Sequence, residues 1–139
     1  MKIILIASFV FCNILVANSS YAVKLYEKIL PSMIENRPIK VFVDKETKEL
    51  LKNSELFQIV EVCTEKVDIL IGQNFHYITE ECEKKPIFAT NYKTYKKNDN
   101  SIGAFYWRKG RPQIIFNSKN LTYFQVPLAV SLRKFQEIE

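Results

Sequence analysis

Val67-Asp68-Ile69-Leu70-Ile71 runs almost unbroken through aliphatic side chains and stops at Gly72. A short apolar run closed by a turn residue suits a strand covered on both faces, which is the habit of parallel sheets. Similar runs flank it. Ile39-Lys40-Val41-Phe42-Val43 and Phe57-Gln58-Ile59-Val60-Glu61-Val62-Cys63 come before, and Pro86-Ile87-Phe88-Ala89-Thr90 comes after. Between the first two, Asp44 stands where it can cap a charged helix over residues 45–53, with Leu50 and Leu51 facing inward. Residues 74–84 predict a short irregular helix carrying Cys82.

Further out, the apolar residues Leu25, Ile29, Leu30, Met33 and Ile34 predict a helix over residues 23–36, bent or split at Pro31. Residues 91–101 are polar and read as a loop. Gly103-Ala104-Phe105-Tyr106-Trp107 and Gln113-Ile114-Ile115-Phe116 flank a turn containing Gly110, the pattern of a β-hairpin. Leu121, Phe124, Leu128, Leu132 and Phe135 predict a closing helix over residues 121–138 despite Pro127. Together these elements predict one three-layer α/β domain, with a largely parallel mixed sheet, an edge hairpin and a C-terminal helix. Strand order is not legible in them.

The 139 residues, 47% hydrophobic and 25% charged, fit a single globular domain and exclude a disordered or collagen-like chain. Residues 1–22 look like an address. Lys2 is the only charge before Lys24, an apolar block runs from Ile3 to Val16, and Ser20 and Ala22 are small. This predicts a secretory signal cut after Ala22 and a domain over residues 23–139, exported from the cytosol. The competing reading is an uncleaved membrane anchor. Cys12 follows Phe11, too large for a lipoprotein cleavage motif. Cleavage would leave Cys63 and Cys82, either joined in a disulfide or held as two buried thiols.

Charge is divided along the chain. Residues 23–83 hold 12 acidic and 8 basic side chains, whereas residues 84–136 hold 11 basic ones against Asp99 alone. Lysines and arginines beside Tyr92, Tyr95, Tyr106 and Trp107 resemble a nucleic-acid stacking surface, but export argues against nucleic acid. A membrane surface or an acidic protein is the better partner, and a merely solubilising face is the plain alternative. Phe105, Tyr106 and Trp107 are consecutive, so strand alternation turns at least one of them out of the core. Tyr92, Tyr95, Tyr106, Trp107, Arg108 and Arg111 are therefore the candidate partner- or ligand-binding residues, being of the types that dominate binding hot spots.

Little points to catalysis. No glycine-rich phosphate loop, GxSxG or HExxH occurs, and no cofactor is implied. His76 and Glu80 would share a helix face, but two ligands are too few for a firm metal site. Glu80, Glu81 and Glu83 cannot all face one substrate from a helix. A small-ligand module is the second functional reading. Its anion would lie near Lys93, Lys96 or Arg108, in the loops after Val43, Ile71 and Thr90.

The element order resembles the YfiR-like periplasmic proteins. The stretches that carry the resemblance are Cys63 with Val67-Asp68-Ile69-Leu70-Ile71, Lys85-Pro86-Ile87-Phe88-Ala89-Thr90, Ile102-Gly103-Ala104-Phe105, and Ile114-Ile115-Phe116 with Asn120-Leu121. The helix with Val126, Leu128, Ser131 and Leu132 completes them. The resemblance implies a regulator that binds the periplasmic part of an inner-membrane diguanylate cyclase or sensor kinase and controls its output. On that reading the chain docks through Trp107, Arg108 and Arg111, a Cys63–Cys82 bond keeps the surface in shape, and cyclic-di-GMP and biofilm respond. Whether it also pairs with a second copy of itself is left open.

Overall fold

The computed structural model describes residues 2–75 and 78–137, with side chains from Asn18 onward. A long helix α1 (Lys2–Met33) leads into β1 (Ile39–Val43), α2 (Lys45–Leu51), β2 (Phe57–Ile59), β3 (Ile69–Gly72) and β4 (Ile87–Ala89). Then follow α3 (Tyr92–Lys97), the hairpin of β5 (Ser101–Arg108) and β6 (Arg111–Asn117), and α4 (Ser118–Tyr123). A 3-10 turn (Val130–Phe135) and a two-residue strand β7 (Gln136–Glu137) close the chain.

The strands form one seven-stranded sheet in the order β2-β1-β3-β4-β5-β6-β7. Pairing is parallel from β2 through β5, antiparallel in the hairpin, and parallel again between β6 and β7. This is the expected mixed α/β sheet, with β7 added outside the hairpin.

Strand alternation divides the core. Ile39, Val41, Ile69, Ile71, Phe88, Phe105 and Phe116 point to one face, where Tyr26, Ile29, Leu30 and Met33 of α1 and Leu51 of α2 cover them. Each such fully buried aliphatic side chain contributes about 1.5–3 kcal/mol. Tyr26 stands edge-on to both Phe88 and Phe105, with ring centroids 5.9 Å away in each case. Burial, reinforced by the charge of Asp44, pushes its hydroxyl well above the ordinary tyrosine range, so it stays neutral. On the opposite face Phe42, Leu70 and Ile87 lie under Cys63, Val67 and Cys82, and Ala89 and Ala104 lie under Tyr95 of α3. Three layers result. Gly103 is required where Phe88 and Phe116 cross β5, since a Cβ there would stand 2.9 Å from Phe88 Cε2 and from the Ile115 carbonyl.

Several local expectations are corrected. Pro31 neither bends nor splits α1, because it falls in the last turn. There the Arg37 guanidinium caps the helix end, donating to the carbonyls of Pro31 (2.8 Å), Ile34 (2.5 Å) and Asn36 (2.9 Å). The aliphatic run after Phe57 leaves the sheet at Ile59, and Val60 makes one further bond to the Val41 carbonyl (3.0 Å). Residues 80–84 form turns rather than a helix, held by Cys82 N–H to Thr79 O (3.0 Å) and Lys85 N–H to Cys82 O (3.1 Å). The loop expected over residues 91–101 contains α3, capped by Asn91, whose side chain accepts from Thr94 N at 2.7 Å.

The closing helix is not continuous. It breaks after α4, where Gln125 takes φ 55° and Pro127 removes a donor, yet Phe124, Leu128, Leu132 and Phe135 still reach the core from outside any α-helix. Asn120 fastens α4 to the start of β5, donating to the carbonyls of Ser101 (2.7 Å) and Asp99 (2.8 Å). Among the described residues, no helix is long and apolar enough to cross a membrane.

Candidate functional site

The hairpin carries the densest group of predicted site residues. Its turn is the pair Lys109-Gly110, with φ 50° and 75°, the primed geometry whose twist matches paired strands. Arg108 faces Arg111 across the ladder and Trp107 faces Pro112. Arg108, Lys109, Gly110 and Arg111 are exposed, and Gly110 has open space around it. Among the described residues none of these three cations pairs with a carboxylate; the ion pairs are Lys48–Glu61, Lys52–Glu49 and Lys96–Glu137.

The six predicted residues do not form one patch. Tyr92, Tyr95 and Tyr106 gather on one side of the sheet, with centroids 6.1 Å apart for Tyr92–Tyr95 and 5.9 Å for Tyr92–Tyr106. Trp107 emerges on the other side, beside Phe105 (5.7 Å) and Tyr21 (5.7 Å). Arg108 and Arg111 lie at the tip between them. The tip is thus a basic point with an aromatic cluster on each flank. Tyr92 and Trp107 are 44% and 37% exposed, but Tyr95 is buried and donates its hydroxyl to Glu137 Oε2 at 2.7 Å, which makes it a structural residue. Sequence reasoning missed Lys109, which the turn chemistry exposes, and Tyr21, which falls within the predicted leader.

Lys96 also donates to Glu137, at 2.7 Å, and its ammonium lies 5.8 Å from the Tyr92 ring centroid. These bonds hold the Glu137 carboxyl below the usual carboxylate range, Lys96 contributing first and Tyr95 second. They also raise Lys96. Because Glu137 is depressed in the fold, its contribution is complete above the ordinary glutamate value of about 4.3 and fades as pH falls through the lower folded value. We expect the melting temperatures of the native chain and Glu137→Gln to differ by a constant amount near neutral pH and to converge only below about pH 4. Convergence already near pH 6 would show that the pair does not anchor β7.

The loops at the carboxyl ends of the parallel strands are largely occupied. The order places the topological switch between β1 and β3, where open α/β sheets take ligands. Asp44 fills that point. Its carboxylate accepts from Thr47 N (3.0 Å), Gln73 N (2.8 Å) and Asn74 N (3.2 Å), and it lies against Gly72, whose φ is 149°. Beside this plug a cavity of about 490 Å³ is lined by Gln73, Asn74, Asn91, Lys93, Thr94 and Lys97. Of the cations expected near an anion, Lys93 lines this cavity, Lys96 is engaged by Glu137, and Arg108 is at the hairpin tip.

Cys63 and Cys82 form a disulfide, with Cα atoms 5.7 Å apart and both side chains buried. Thr79 Oγ1 donates to the Cys63 carbonyl at 2.5 Å and ties the two arms of the loop together. Such a bond belongs to an oxidising compartment, outside the cytosol. His76 lies outside the described residues, and with it the pair expected with Glu80. Among the described residues no three His, Cys, Asp or Glu side chains are grouped to hold a metal ion. Compared with known protein families and with curated proteins, the chain matches none.

Proposed function

We propose that the chain is an exported binding protein of the cell envelope, cut after Ala22, which docks on the periplasmic part of an inner-membrane signalling protein and controls its output. One observation carries this reading: the hairpin projects three cations, unpaired among the described residues, on a turn of fixed geometry, with an exposed aromatic ring on either flank. Cations left unpaired at a rigid tip gain most from an acidic protein surface, and aromatic rings add contact area at low entropic cost. The disulfide supports a compartment outside the cytosol. The likeness to YfiR-like proteins supports a diguanylate cyclase or a sensor kinase as the partner.

Reversing two charges tests this. Arg108→Glu with Arg111→Glu is expected to change stability by less than about 0.5 kcal/mol, since both side chains are exposed. The same variant should behave like a gene deletion, raising cyclic-di-GMP and biofilm where the native chain represses them. Native output from a folded double variant would sink the proposal. The cavity beside Asp44 favours a second reading, a module for a small anion at Lys93 and Lys97. Stabilisation of the protein by one compound among nucleotides, amino acids and oxyanions would favour that reading instead.

A further inference from the structure

We propose that Tyr21 occupies a ring seat on Phe105 and Trp107 in the uncut chain, and that cleavage after Ala22 leaves this seat empty for an aromatic side chain carried by an acidic segment of the partner protein. This rests on the docking and processing proposed above. The seat has two walls. Tyr21 lies 6.0 Å from Phe105 at an interplanar angle of 32° and 5.7 Å from Trp107 at 60°, while Phe105 and Trp107 meet edge to face at 5.7 Å and 71°. An aromatic side chain of this same protein therefore fills it in the uncut chain. Tyr21 is itself 44% exposed, so it caps the seat from outside without belonging to the packed core.

Removing residues up to Ala22 takes away the ring that shields Phe105, which is only 3% exposed while Tyr21 is in place. The occupant's charge is set by the neighbouring tip. Arg108, Lys109 and Arg111 stand next to Trp107, and no acidic residue occurs between Asn100 and Gln136. A ring flanked by carboxylates satisfies both the walls and the cations. Ala22 is buried against the core in α1, so the cut is made before α1 docks, and the processed chain folds with the seat already open.

Trp107 is the sole tryptophan, so its fluorescence reports the seat directly. The test uses the full chain in mild detergent, titrated with a synthetic peptide in which one tyrosine is flanked by glutamates, and with its alanine counterpart. Tyr21→Ala should bind the tyrosine peptide at least tenfold more tightly than the native chain does. Tyr21→Phe, which keeps a ring in the seat, should match the native chain and serves as the control for folding. Adding Arg111→Ala to Tyr21→Ala should weaken binding several-fold. Equal affinity of the native chain and a folded Tyr21→Ala variant, or equal affinity for the two peptides, overturns the seat. If the seat fails while the Arg108→Glu, Arg111→Glu chain still loses control of cyclic-di-GMP, docking stands and only this occupant is wrong.

Discussion

Replacing Gly72 by alanine is expected to lower the unfolding free energy by about 3 kcal/mol, from backbone strain at a non-glycine residue together with a direct clash. Gly72 has φ 149°, and a Cβ there would stand 2.6 Å from Asp44 Cγ and 2.7 and 2.9 Å from the carboxylate oxygens. Asp44 cannot withdraw without releasing the backbone donors of Thr47, Gln73 and Asn74. That carboxylate is at once the N-cap of α2 and the clamp on the loop after β3, so Asp44→Ala should cost a comparable amount, about 2–4 kcal/mol. The two effects are coupled. With the carboxylate gone, the new methyl group at position 72 has room, and the double variant should lose clearly less than the sum of the single changes. Urea denaturation of the four chains measures this. A fully additive result would show that the methyl group and the carboxylate do not compete for space.

The same pair of residues shows what sequence can and cannot reveal. Asp44 is legible as a helix cap, because a short acceptor just before a charged helix has one common use. Its second role is not, since the bonds to Gln73 and Asn74 span 29 and 30 residues and depend on β1 and β3 being neighbours. The strands are legible because a short aliphatic run bounded by turn residues suits a strand covered on both faces and little else. Strand order is not, because crossovers of similar length can lead to either side. α3 is hidden by its composition, as Thr94 and Tyr95 are the only buried residues among lysines and a half-exposed tyrosine. The closing segment misleads for the opposite reason. Leu121, Phe124, Leu128, Leu132 and Phe135 have helical spacing, yet only Leu121 lies in an α-helix; Phe124 packs from a turn, Leu128 from irregular chain, and Leu132 and Phe135 from a 3-10 segment.

At the site, alternation requires the hairpin aromatics to divide between faces, and the structure separates Tyr106 from Trp107 accordingly. Tyr95 is buried against Ala89 and Ala104 with its hydroxyl bonded to Glu137, 42 residues away, and nothing local announces either. The contact of Tyr21 with Trp107 is concealed differently. Tyr21 sits next to the expected cut, among residues whose small size and apolar run serve export, and nothing in that pattern signals packing against a hairpin more than 80 positions later.

Loss of the disulfide is expected to be the more damaging change, costing about 2–5 kcal/mol in a domain this small. The bond closes a separation of 19 residues, for which chain entropy alone suggests about 3 kcal/mol. Packing adds to it. Among the described residues no helix lies over the face bearing Phe42, Leu70 and Ile87; Cys63, Val67 and Cys82 serve as its cover, with Val60, Phe75 and Ile78 at the margin. Irregular backbone holds such a position poorly by itself, because few ladder bonds restrain it. Reduction should therefore loosen residues 60–86 and wet that side of β1, β3 and β4, while the α1 side keeps its packing. In a melting experiment the native chain should lose about 10 °C or more on adding reductant. The chain carrying both Cys63→Ala and Cys82→Ala should melt at that lower temperature with or without it. Hydrogen exchange should show the loss of protection concentrated in β3 and β4 and small in the hairpin. A native chain whose melting ignores reductant after both thiols have been shown free would mean that side-chain packing alone holds this layer. The uncovered strands would then have to be protected by Val67 and its neighbours without the crosslink.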